Sequence, residues 1–187
     1  MSFVARHPLL KSALLYVAEI VQVVLISLAI IVPIRYFLVQ PFYVQGASME
    51  PNFADKDYLI IDEISYRFKE PARGDIVVFK YPGDPKQIFI KRIVGLPGEK
   101  IKIFDGKVTI YNDANPDGSA VDESAYLNPY VYTSGDKITT LKSDEFFVLG
   151  DNRGSSLDSR IFGAVDQRSI IGRVWLRGWP FDKIQKF

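Results

Sequence analysis

The longest apolar stretch of the chain runs from Ser12 to Ile34, SALLYVAEIVQVVLISLAIIVPI, and Glu19 is its only charge. Wound as an α-helix at ~1.5 Å per residue, such a run covers a hydrocarbon core of about 30 Å. It predicts a transmembrane helix. The apolar character continues through RYFLVQPF without an Ala-x-Ala pattern, so the segment is expected to stay as an anchor and not to be removed as a signal peptide. Arg6 and Lys11 precede the run and Arg35 is the only charge close behind it, which points to a cytoplasmic N-terminus and an extracytoplasmic remainder. Ser12, Tyr16, Glu19 and Gln22 are spaced four, three and three apart and form one polar stripe on the helix. A carboxylate in lipid is costly, so the stripe either meets a partner helix or lets Glu19 snorkel to the interface.

Beyond Phe37 the pattern changes to short runs rich in β-branched and aromatic residues: DYLIIDEISYRF, DIVVFKY, QIFIKRIVGL, EKIKIF, KVTIYN, EFFVLG and SIIGRVWLRG. YPGDP, LPGE, NDANPDG and GDNRG punctuate them as turns between antiparallel strands. The expected organisation is a short cytoplasmic segment at 1–11, a transmembrane helix at 12–34 and a mainly β extracytoplasmic domain at 35–187. Within that domain, residues 113–137 are rich in Asn, Asp, Ser and Gly and read as an exposed excursion from the sheet.

With 23 basic and 22 acidic residues the formal charge is +1, so no bulk electrostatic signal points to nucleic acid. There is no cysteine and the single histidine is His7, at the extreme N-terminus. Thiol chemistry, disulfides, cysteine or histidine metal sites and a Ser-His pair are thereby set aside. What remains is Ser, Thr, Lys, Asp, Glu, Tyr and Arg.

In VQGASMEPNF, Ser48 follows the small residues Gly46 and Ala47, which leave its hydroxyl exposed. A nucleophilic serine needs a base, and a lysine can serve once burial makes its neutral form accessible. In QIFIKRIVGL, Lys91 shares a strand face with Phe89 and Ile93, and Arg92 shares the other with Ile90 and Val94. Alternation does not choose between them. Chemistry does, because an amine can lose its proton in a protein and a guanidinium cannot. A third stretch, VLGDNRGSSLDSRIFGAV, could present the hydrogen-bonding groups of Ser155, Ser156, Asp158, Ser159 and Arg160 to a buried amine.

Together, PFYVQGASMEPNF, RGDIVVF, FIKRIVGLPGEKI, LGDNRGSSLDSRIFGAV and GRVWLRGWPF resemble the bacterial type I signal peptidases in their short, single-anchor form. The resemblance implies a mostly antiparallel, barrel-like β domain. It also implies a serine endopeptidase that removes signal peptides on the outer face of the membrane, with no metal or organic cofactor. By match, Ser48 is the nucleophile and Lys91 the general base. Ser156 helps orient the lysine, Asp158 and Arg160 pair to hold the loop, and Asp151 supports the site. Two departures stand out. Some members carry Ser or Thr two residues before the nucleophile as an oxyanion donor, where this chain has Gly46, and Pro51-Asn52-Phe53 stands where Pro-Thr-Leu is usual.

The runs Phe42 to Ser48 and Ile88 to Lys91 are extended in character and each ends at a proposed catalytic residue, so they can flank a peptide bound as an added strand. Alternation would turn the first and third side chains before the cut toward one wall, for which Val44, Phe53, Phe89 and Ile90 are the candidates. Shallow apolar pockets there would suit the Ala-x-Ala ending of preprotein signal peptides, and Phe53 would tighten them further. Two other readings compete: a self-cleaving Ser-Lys protease of the SOS-repressor type, which would lack the apolar run at 12–34, and a membrane-anchored protein without catalytic activity.

Overall fold

A computed structural model describes residues 8–37 and 39–187, with side chains described at 12–32 and from 41 onward. The flanking charges Arg6, Lys11 and Arg35 and the lone His7 lie outside the described side chains. The chain divides between Val39 and Gln40 into two units.

In the first unit the described residues form one helix, α1 (Pro8–Phe37). Its stretch Ser12–Val32 spans 21 residues at a mean hydropathy of 2.5 and is long and apolar enough to cross a membrane. A helix satisfies its own backbone hydrogen bonds, which is what an apolar run requires in lipid. Tyr16, Glu19 and Gln22 of the polar stripe are exposed on it.

The second unit is built on two antiparallel sheets. The larger contains β1 (Val39–Tyr43), β2 (Tyr58–Asp62), β3 (Ile76–Lys80), β4 (Ile88–Gly95), β9 (Glu145–Leu149), β10 (Val165–Asp166), β11 (Ile170–Trp179) and β12 (Gln185–Lys186). Its order is β1-β2-β11-β3-β4-β9-β10, with β12 on β11. The smaller contains β5 (Lys100–Phe104), β6 (Lys107–Asn112), β7 (Asn115–Ala120) and β8 (Lys137–Thr140), in the order β7-β6-β5-β8. The only other α-helix among the described residues is the single turn α2 (Ser159–Phe162).

Strand alternation distributes the core over both faces of the large sheet. On β3, Ile76 and Val78 join Val44, Met49, Phe53, Leu59 and Ile61, whereas Val77 and Phe79 join Ile93, Phe146 and Val148. On β9, Phe147 and Leu149 turn toward Ile101, Ile103, Val108 and Ile110 of the small sheet. Strands buried on both faces explain why IVVF and FFVL read as continuous apolar runs.

Residues 113–137 are mostly exposed but carry structure of their own. Asn115–Ala120 form β7, paired with β6, while Leu127 and Thr133 are buried. Polar residues can form this strand because it lies at a sheet edge and packs no apolar face of its own.

Candidate active site

Three segments converge. The first is the turn from Val44 to Phe53. The Val44 N–H donates to Asp57 O and its carbonyl accepts from Lys56 N, both at 2.9 Å. Gly46 turns the chain at φ +84°, in the left-handed region that side chains avoid, and its N–H donates to Asp55 Oδ1 at 2.8 Å. Met49 is fully buried. Beside it Ser48 is half-buried and lines a groove.

The second segment is β4. Its register on β3 sets Lys91 opposite Val77 and Arg92 opposite Ile76. On its other edge, pairing with β9 begins only at Arg92, opposite Leu149. The edge from Ile88 to Lys91 is therefore unpaired among the described residues. Lys91 Nζ donates to Ser48 Oγ at 2.8 Å and to Ile90 O at 2.7 Å. Lys91 is only 4% exposed. Burial lowers its pKa from the ordinary lysine value to about 8, against the opposing pull of the carboxylates of Asp158 and Asp151. Its neutral form is thus accessible at mildly alkaline pH.

The third segment is the loop from Gly150 to Arg160. Asp158 is fully buried and accepts four bonds: from Gly150 N at 3.1 Å, from Arg160 N at 3.2 Å, and from Arg160 Nε and Nη2 at 2.8 Å each. Asp151 is bound by Arg92 through Nε at 2.8 Å and Nη2 at 2.6 Å, and Asn52 Nδ2 donates to it at 2.8 Å. Ser156 Oγ is buried and has no hydrogen-bond partner among the described residues. It lies against Gly150, where an added Cβ would run into both Ser156 Oγ and the Ser48 carbonyl. The expected bond from Ser156 to the Lys91 amine is not formed in this structure, although the hydroxyl is brought to the site.

Several residues that the sequence left unassigned hold these segments together. Asn152 donates through its backbone N–H to Ser48 O and through Nδ2 to Ala47 O, both at 3.0 Å, tying the loop to the peptides on either side of Ser48. The Arg92 guanidinium sits 4.0 Å from the Tyr126 ring centroid, and Arg153 pairs with Glu123 and bonds Thr133. The segment 121–136 thus braces the loop from outside. A turn-rich composition hides this, because Asn and Arg in GDNRG have the same look whether solvated or bonded.

Along the unpaired edge of β4 lies a groove of about 580 Å³ that runs from Ser48 and Lys91 to Phe42, Tyr43, Lys86 and Gln87. Val44, Phe89 and Ile90 line it, and Leu157 joins them from the third segment. Phe53 does not. It is fully buried, its ring centroid 4.7 Å from that of Phe187, in the same apolar cluster as Val44, Leu59 and Val78. An aromatic ring five residues beyond a turn residue is placed by the core that needs its volume, which sequence spacing does not reveal.

The family model described as signal peptidase, peptidase S26, matches residues 17–179. A probable signal peptidase I-2 of Synechocystis sp. is 35% identical over 172 residues, covering 89% of this chain and 75% of the relative. A signal peptidase I of Leptolyngbya laminosa is 36% identical over 173 residues, covering 89% and 81%. A signal peptidase I of Bacillus caldolyticus is 34% identical over 169 residues, covering 83% and 88%. The match runs from within α1 through every segment of the site, and on that extent the chain belongs to the signal peptidase family, peptidase S26.

Proposed function

We propose that the protein is a membrane-anchored serine endopeptidase that cuts N-terminal signal peptides from secreted preproteins, with Ser48 as nucleophile and Lys91 as general base. The observation that carries the reading is the 2.8 Å contact between Lys91 Nζ and Ser48 Oγ, both of which line a groove of about 580 Å³. A strand edge left open at Ile88–Lys91 offers an extended peptide its backbone partners.

In the first step the neutral Lys91 amine takes the Ser48 hydroxyl proton as Oγ attacks the carbonyl carbon before the cut. The resulting ammonium then gives that proton to the departing amine nitrogen, the C–N bond breaks, and an acyl ester remains on Ser48. A water, deprotonated by Lys91, attacks the ester, and the proton returns to Ser48 Oγ as the acid product leaves. The Ser48 N–H is free to donate to the oxyanion, since it bonds no acceptor among the described residues. Gly46 offers only backbone there. In this reading Asp158, Arg160, Asp151 and Ser156 position the lysine and the loop and do not react.

The apolar helix α1 serves as the single-pass anchor, its N-terminus cytoplasmic and the domain from residue 40 outside, in keeping with the flanking Arg6, Lys11 and Arg35. Incubating detergent-solubilised protein with a preprotein and sequencing the new N-terminus tests the reading. A cut after an Ala-x-Ala ending supports it, and an intact preprotein refutes it.

A further inference from the structure

The groove does not end where the pockets next to the cut end. From Lys91 one wall follows β4 back to its first residue, Ile88, and continues into the turn before it at Gln87 and Lys86, and Phe42 and Tyr43 line the groove as well. No carboxylate lines it; its two charges are Lys91, buried at the catalytic end, and Lys86, exposed at the far end.

The surroundings of Lys86 keep that end positive. Asp84 is the nearest acid in sequence, but its carboxylate is turned into its own turn: Oδ1 accepts the Lys86 N–H at 3.2 Å and Oδ2 accepts Gln87 Nε2 at 3.1 Å. Lys80, exposed on β3, stands directly opposite Ile88 and adds a second ammonium beside the groove. Two lysines thus outweigh one engaged carboxylate.

We propose that Lys86, in the turn that leads into β4, reads the charge of the substrate side chain about five residues before the cut, just beyond those that face Ile88–Ile90, favouring Asp or Glu there and disfavouring Lys or Arg. The proposal rests on the signal peptidase reading, because Ser48 marks the cut from which the distance is counted. The first, third and fifth side chains before the cut fall on one side of an extended peptide. The two nearer the cut meet apolar wall and the fifth meets an ammonium. Exposed pairs of this kind act mainly on binding and are screened by salt.

Full-length protein in detergent is given three fluorogenic peptides that share an Ala-x-Ala cut and differ only at the fifth position before it, which is Asp, Asn or Lys. At low salt, kcat/KM for the Asp peptide should exceed that for the Lys peptide by about fivefold, carried by KM. The ratio should fall toward one in about 1 M salt, where the Debye length is ~3 Å. In Lys86→Glu the order of the two peptides should reverse. Equal kcat/KM for all three at low salt, a preference that salt leaves unchanged, or one that Lys86→Glu retains, overturns the inference and leaves the signal peptidase reading standing. Failure of the wild-type protein to cut any of the three overturns both.

Discussion

Arg92 and Asp151 meet through two hydrogen bonds, Nε to Oδ1 at 2.8 Å and Nη2 to Oδ2 at 2.6 Å, across 59 residues of sequence. One residue earlier on the same strand, Lys91 reaches the opposite way to Ser48. The strand therefore hands one cation to a carboxylate of opposite charge and the other to a hydroxyl, where burial works against its charge. Bidentate pairing suits the guanidinium, and desolvation suits the amine that must lose a proton.

Ser48 and Lys91 are expected to act as one unit. Ser48→Ala and Lys91→Ala should each lower kcat by at least ~10³-fold while leaving the protein folded, and the double variant should be no worse than either single one. Lys91→Arg should be equally inactive, because its charge stays and deprotonation is lost. Single-turnover cleavage of a preprotein checks this, and substantial turnover by Lys91→Ala would remove the base assignment.

The pH dependence follows from the Lys91 pKa of about 8. The free amine is the active form, so the rate should be low in acid, climb through about pH 8 and level off above it. The stability effect has a definite sign. A lysine whose folded pKa lies below its unfolded value opposes folding while protonated, and that penalty fades as pH rises from about 8 toward the ordinary lysine value of 10.5. Lys91→Met should accordingly be inactive yet more stable than wild type at pH 7, with the gap narrowing above pH 8. Thermal melts across pH measure it, and a gap that widens with pH would contradict the assigned burial.

Asp158 and Ser156 should separate into stability and rate. Asp158→Ala leaves Arg160 without its carboxylate and Gly150 N–H without its acceptor. Breaking one side of such a pair costs about 3–5 kcal/mol, roughly 10 °C in Tm for a domain of this size. Ser156→Ala removes a buried hydroxyl that has no protein partner among the described residues, so Tm should hold while kcat falls. Earlier melting of Ser156→Ala with normal cleavage would show that its role is structural.

Phe53 should govern folding and not substrate choice. Phe53→Ala empties the space against Phe187 and should cost about 3–5 kcal/mol. The preference for Ala over Leu just before the cut should stay at its wild-type ratio in the folded fraction. A relaxed ratio would return Phe53 to the substrate pocket.

The sequence by itself determined α1, because a long apolar run with one charge leaves the backbone few ways to satisfy its hydrogen bonds. It determined the strands that carry β-branched and aromatic runs between Gly, Pro, Asn and Asp turns, β2 to β6, β9 and β11, but not the short or polar β1, β7, β8, β10 and β12. By elimination it also narrowed the chemistry, since a chain without cysteine and with one terminal histidine leaves Ser, Thr, Lys, Asp, Glu, Tyr and Arg, from which the proposed pairing of Ser48 with Lys91 is drawn. Only the tertiary structure decided the rest. Alternation put apolar residues on both sides of Lys91 and Arg92 and chemistry singled out the amine, but only space supplied the partners, Ser48 for Lys91 and Asp151 for Arg92. Phe53 went to the core, and residues 121–136 became a brace through Glu123, Tyr126 and Thr133. Asn52, in the opening turn, is held twice by the C-terminal third of the chain: its carbonyl accepts from Arg177, 125 residues away, and its amide donates to Asp151. Local pattern states which faces a residue can present, but burial and pairing depend on side chains that arrive from distant parts of the chain.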